Sequence, residues 1–79
     1  MTNEKKYEDV FMNSFSIEKS KLNEELVYES VPEWDSVGHM GMIAELEDTF
    51  NIELETDDII DFSSFEKGKE ILGKYDIKI

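Results

Sequence analysis

The chain is expected to fold as an all-α domain, a small four-helix bundle of three main helices and one short helix with a long first loop. Three observations predict this. Apolar residues recur at helical spacing in two long stretches. One proline and four glycines leave few breaks. The alternating stretch Asn51-Ile52-Glu53-Leu54-Glu55 is too short, and too lacking in a pairing partner, to be more than an extended loop. With 79 residues, positions 1–79 are expected to form one domain around one core.

The first helix is predicted from Glu4 to Phe15, where Tyr7, Val10, Phe11 and Phe15 form one apolar stripe and Met12 lies off it. Residues 16–33 form a long polar connection anchored by Ile17, Leu22, Leu26, Val27 and Tyr28. Loops of this length are uncommon in small domains and are often functional. Pro32 disfavours helix at Val31 and turns the chain toward the next element. The second helix starts at Asp35 or Ser36 and runs to Phe50, with Asp35 as N-cap. Its apolar set is Val37, Met40, Ile43, Leu46 and Phe50, flanked by Met42 and Ala44, and Gly38 and Gly41 each weaken it by about 1 kcal/mol. Thr56 is expected to cap the short third helix, with Asp57 and Asp58 in its first turn and Ile59, Ile60 and Phe62 as its apolar contacts. Ser63 and Glu66 fit a capping box for the last helix, predicted from Ser64 to Leu72 with Gly73 as C-cap. The tail from Lys74 to Ile79 carries no clear signal.

Composition narrows the function classes. There is no cysteine, so disulfides, thiolate metal sites and a cysteine nucleophile are excluded. Twenty acidic residues against eight lysines give a net charge of −12, which repels nucleic acid and anionic membranes and attracts basic patches on proteins. From Leu22 to Glu66 there is no basic residue other than His39. Such a run serves either as a solvated face or as a docking surface. No stretch approaches the ~18 apolar residues of a membrane helix, and the start shows no signal-peptide pattern. No membrane insertion and a cytoplasmic location are therefore expected. A domain this small has little room for a catalytic cleft.

The segment Trp34-Asp35-Ser36-Val37-Gly38-His39-Met40 concentrates the chemistry. Ser36 at the first helical position would project from the surface, beside free N–H groups that favour an attached phosphate. The same Asp-Ser pair could equally be a plain helix cap. The wider pattern favours the first reading. Leu46-Glu47-Asp48-Thr49-Phe50 ends the helix, and Ile52, Leu54 and Asp57-Asp58-Ile59 follow without an insertion.

On these residues the chain resembles the acyl carrier proteins, over nearly its whole length and most specifically from Trp34 to Phe65. The resemblance implies that Ser36, preceded by Asp35, carries 4′-phosphopantetheine delivered from coenzyme A by a phosphopantetheinyl transferase. The arm's thiol would hold an acyl or aminoacyl group as a thioester, and the chain itself would be no enzyme. It further implies that Val37 and Met40 as apolar contacts, with Glu47 and Asp48 as acidic ones, meet acyl- or aminoacyl-loading and transferring enzymes that bear basic patches. A monomer is expected. Fatty-acid members of the family usually hold acids two and five positions after the serine, where this chain has Gly38 and Gly41. That departure points away from the general fatty-acid synthase and toward carriers of specialised pathways.

Other readings stay open. A small acidic adaptor would dock on basic partners without modification. Met40, Met42 and Ile43 could line an acyl pocket or simply be core. A Ser36–His39 nucleophile pair is conceivable from spacing, but no orienting third group or oxyanion hole accompanies it. His39 is expected to be a surface residue beside the arm. The Asp57–Asp61 run lacks the spacing of a calcium loop.

Overall fold

A computed structural model describes residues 2–79. Helix α1 spans Asn3–Phe15, α2 Ser36–Phe50, α3 Thr56–Asp61 and α4 Phe65–Gly73, with a 3₁₀ turn at Lys19–Lys21 in the long first connection. Among the described residues there is no strand, only an isolated antiparallel bridge between Val27 and Ser64. The chain is all-α, as expected.

Helix α1 starts at Thr2, whose hydroxyl accepts from the Lys5 N–H, and ends at Ser16 in the left-handed region. Its four stripe residues, Tyr7, Val10, Phe11 and Phe15, are all buried. They supply one side of an aromatic core. Phe11 meets Phe65 and Phe62 at centroid distances of 5.0 and 6.2 Å, and Phe15 stacks on Trp34 at 5.1 Å. Such pairs add about 0.5–1.5 kcal/mol each beyond the area they bury. The Tyr7 hydroxyl donates to the Phe65 carbonyl at 2.6 Å, which joins the two ends of the chain. Burial, with the nearby Glu66 charge, holds this phenol well above the ordinary tyrosine range.

Helix α2 differs from expectation on its inward face. Met42, Ile43 and Leu46 are buried, whereas Val37 is 80% and Met40 54% exposed. The reason is geometric. At about 100° per residue, a run of threes drifts around the axis, and Val37 and Leu46 end about 180° apart. The set that keeps to one side is His39, Met42, Ile43, Leu46 and, half-buried, Phe50.

Three helix ends also differ. Thr56 is the first residue of α3 and not its cap; Glu55 occupies the N-cap without a side-chain bond. The Glu55 N–H instead donates to the Tyr75 hydroxyl at 3.0 Å, which fixes the chain ahead of the helix. The capping box on Ser63 does not form. The Ser63 carbonyl accepts from the Tyr28 N–H at 2.9 Å and keeps that residue extended, so Ser64 caps α4 through the Lys67 N–H at 2.9 Å. Gly73 is the last residue of α4, and the left-handed position comes later, at Asp76.

The tail is tied down. Asp58, buried in the first turn of α3, accepts from Lys74 Nζ and from the Tyr75 hydroxyl, both at 2.6 Å. The Lys74 hydrogen bond, then that of Tyr75, holds its carboxyl below the usual carboxylate range, while Asp58 in turn raises both partners. A depressed folded value stabilises above the unfolded value of about 3.9 and is lost as pH falls through the folded one. Asp58→Asn is therefore expected to melt below the wild type at neutral pH. The gap should narrow on titration from neutral pH into the acid range below about 4, as thermal melts followed by circular dichroism would show. A constant gap across that range would refute the assignment.

Candidate functional site

The site is built where the long connection runs into α2. The connection is fastened first. Leu26 is buried, and its carbonyl accepts from the Phe65 N–H at 2.9 Å, beside the Tyr28–Ser63 bond, so residues 26–28 lie along the start of α4. The Glu29 N–H donates to the Trp34 carbonyl and the Trp34 N–H to the Val31 carbonyl, closing a tight loop. Trp34 is fully buried at its end. Asp35 then caps α2, its Oδ1 accepting from the Gly38 N–H at 2.8 Å. Ser36 is the first helical residue and is exposed. The expected cap and the expected serine are thus in the expected places.

Gly38 has a structural reason. A Cβ there would lie 1.9 Å from the Glu33 carbonyl oxygen, a backbone atom. The loop that delivers Ser36 crosses the helix at this point, and only a residue without a side chain admits it. Gly41 faces open space, with no atom within 4 Å of an added Cβ.

His39 is not the free surface residue expected from the sequence. It is half-buried on the inward side of α2. Its Nδ1 accepts from Trp34 Nε1–H at 2.9 Å, and its Nε2 lies 2.8 Å from the Ile59 carbonyl. Because indole nitrogen only donates, Nδ1 must be the acceptor, so the proton sits on Nε2 and is donated to Ile59. The ring also lies parallel to Trp34, at an interplanar angle of 11°. Both nitrogens are engaged in joining the pre-helix loop to α3, which leaves neither to activate Ser36. The sequence signal was present, since His39 falls on the Met42–Ile43–Leu46 face.

Beside Ser36 lies a groove of about 330 Å³, lined mainly by apolar side chains. Phe62, Ile59 and His39 form its deeper side, and Tyr28, Met40 and Ile60 stand at its rim. Ser36 itself lines it. Ile60, expected to pack inward, is 72% exposed. The large apolar side chains exposed among the described residues are Val27, Tyr28, Val37, Met40 and Ile60. Three line this groove; Val37 follows Ser36 directly and Val27 precedes Tyr28. Such clustering is how interaction sites differ from scattered surface apolar residues.

Of the residues expected to meet partners, Val37, Met40 and Asp48 are exposed. Glu47 is half-buried, and its Oε2 accepts from the Leu54 N–H at 2.9 Å, fastening the loop between α2 and α3. Met42 and Ile43 belong to the core, while Met40 is part of the groove. Among the described residues, no cluster of three His, Asp or Glu side chains is placed to hold a metal ion, and no helix is long and apolar enough to cross a membrane.

No family model, curated protein or solved structure matches the chain.

Proposed function

We propose that the chain is a carrier protein whose working form bears 4′-phosphopantetheine on Ser36. The observation that carries this reading is the placing of an exposed serine at the first position of α2, held by the Asp35 cap and sharing a groove with three exposed large apolar side chains, Tyr28, Met40 and Ile60. The site fits the group. The serine hydroxyl is reachable, the first turn of a long helix faces it with a positive dipole end, and a mostly apolar groove begins at its side.

The chain's part in loading is to present one oxygen. Ser36 Oγ forms a bond to the phosphorus that carries pantetheine in coenzyme A. The pyrophosphate P–O bond breaks, adenosine 3′,5′-bisphosphate leaves with the electron pair, and the hydroxyl proton passes to a base on the transferase. Asp35 holds the helix start and so the direction of the hydroxyl. When bound, the group supplies a thiol for acyl or aminoacyl thioesters, which this cysteine-free chain lacks. Val37 and Met40, with Asp48 and the other acids along α2, offer an apolar contact within a negative field to partners that carry a basic rim. Tethering to such a carrier raises the effective concentration of cargo at each partner. No step is catalysed by the chain itself. The working location is cytoplasmic, and the pathway is fatty-acid or specialised synthesis.

The same apolar cluster would also suit an adaptor that docks without modification. Intact mass separates the two. Incubation with coenzyme A, magnesium and a broad-specificity phosphopantetheinyl transferase is expected to add one phosphopantetheine to the wild type and none to Ser36→Ala. A folded wild type that gains no mass would sink the carrier reading and leave the adaptor.

A further inference from the structure

We infer that the recess between α1 and α2, on the side of α2 turned away from the groove beside Ser36, receives the guanidinium of an arginine side chain from a partner protein. The recess holds about 290 Å³ and is lined by Asn13 and Ser14 of α1 and by Gly38, Gly41, Met42 and Glu45 of α2. It shares no lining residue with the groove. The inference therefore goes beyond the carrier reading and does not depend on it.

Three observations carry it. First, Ser14 lines the recess, and its Oγ is buried with no hydrogen-bond partner, a costly state for a hydroxyl unless something supplies one. Asn13 and Glu45 are exposed beside it, and none of the ion pairs among the described residues uses Glu45. A carboxylate, an amide oxygen and a hydroxyl oxygen can thus accept together, with no cationic residue in the lining to satisfy them.

Second, the fold gives Gly38 a reason and Gly41 none. Gly38 must clear the Glu33 carbonyl, whereas a Cβ on Gly41 would meet nothing within 4 Å, although alanine would serve the helix better. The bare position keeps the mouth of the recess open, because a helical side chain there would lean back over Gly38. Third, charge selects the occupant. The chain carries −12 and has no lysine or arginine from Leu22 to Glu66, so this face draws cations and turns anions away. Guanidinium holds five donors in a planar fork, which can meet the Glu45 carboxylate in two bonds and still reach Ser14 or Asn13. An ammonium is a single, more strongly hydrated point and fits this set less well. The arginine stem would lie along Met42 and the glycine backbone.

The test titrates N-acetyl-arginine methylamide into the ¹⁵N-labelled, unmodified full chain at constant ionic strength, with N-acetyl-lysine methylamide as the comparison. Saturable amide shifts are expected at Asn13, Ser14, Gly38, Gly41 and Glu45 and not elsewhere, with the lysine compound binding several-fold more weakly. Glu45→Gln and Ser14→Ala should each weaken the arginine compound several-fold. Gly41→Leu should abolish the saturable shifts. Its site is exposed, with nothing within 4 Å of an added Cβ, so the fold is kept, as circular dichroism would check. Shifts that never saturate and spread over the acidic surface would overturn the inference. So would an equal response to the lysine compound, unchanged affinity in both Glu45→Gln and Ser14→Ala, or saturable binding that survives in folded Gly41→Leu. Because the probe meets unmodified protein, each of these outcomes leaves the loading of Ser36 to its own mass measurement.

Discussion

Gly68→Ala is expected to destabilise the protein by about 3 kcal/mol or more, the upper end of core overpacking, and to lower its melting temperature by at least about 12 °C. Helix propensity predicts the opposite sign, since glycine inside a helix is about 1 kcal/mol worse than alanine. Packing decides. A Cβ on Gly68 would lie 2.1 Å from the Tyr7 hydroxyl oxygen and 2.2 and 2.6 Å from two carbons of the Phe62 ring. Neither neighbour can yield cheaply. The Tyr7 hydroxyl is fixed by its 2.6 Å bond to the Phe65 carbonyl, and moving it would strand a buried donor at about 1–3 kcal/mol. The Phe62 ring packs against Phe11 and His39. Gly41→Ala is the control. It changes the same residue in the interior of another helix, with nothing within 4 Å, and should gain up to about 1 kcal/mol. Thermal melts of both variants give the comparison, and a Gly68→Ala protein as stable as the wild type would show the assigned packing to be wrong.

Trp34→Ala should cost about 3–5 kcal/mol, out of a total of about 4–12 kcal/mol for a domain of this length. The indole is fully buried, stacked on Phe15 at 5.1 Å and set edge-on to Phe11 at 5.6 Å. Its removal leaves a cavity behind Ser36 and takes the donor from His39. Trp34→Phe separates the two effects. It keeps most of the ring volume and leaves His39 Nδ1 without a partner, for a loss of about 1–3 kcal/mol. Guanidinium denaturation followed by far-ultraviolet circular dichroism distinguishes the variants. A Trp34→Ala protein within about 1 kcal/mol of the wild type would mean that the indole is not the keystone of this loop.

The sequence was informative where one residue type answers one geometric demand. The α1 stripe was legible because Tyr7, Val10, Phe11 and Phe15 are all apolar and all on one side. The start of α2 was legible because a carboxylate before a free helix end has few other uses. The inward face of α2 was misread because His39, a polar residue, holds a place in an otherwise apolar row. Counting apolar residues alone then selected Val37 and Met40, which are exposed. The caps of α3 and α4 depend on bonds from distant segments, Tyr75 to Glu55 and Tyr28 to Ser63. No local pattern carries such information. Gly38 and Gly68 read as weaknesses or went unremarked, although each is required by an atom far away in the chain or across a loop. The fastening of the tail through Asp58 was likewise invisible, since its partners lie 16 and 17 residues on.

The bond between Trp34 and His39 has a practical consequence. Trp34 is the chain's one tryptophan, and its indole N–H is held by a ring that lines the groove beside Ser36. The molecule thus contains its own optical probe at the site of interest. Its emission would report on whatever shifts the imidazole, an arm on Ser36 among them under the proposed reading. Under that reading, loading could be followed in real time on the unlabelled protein, with no dye to disturb the surface under study.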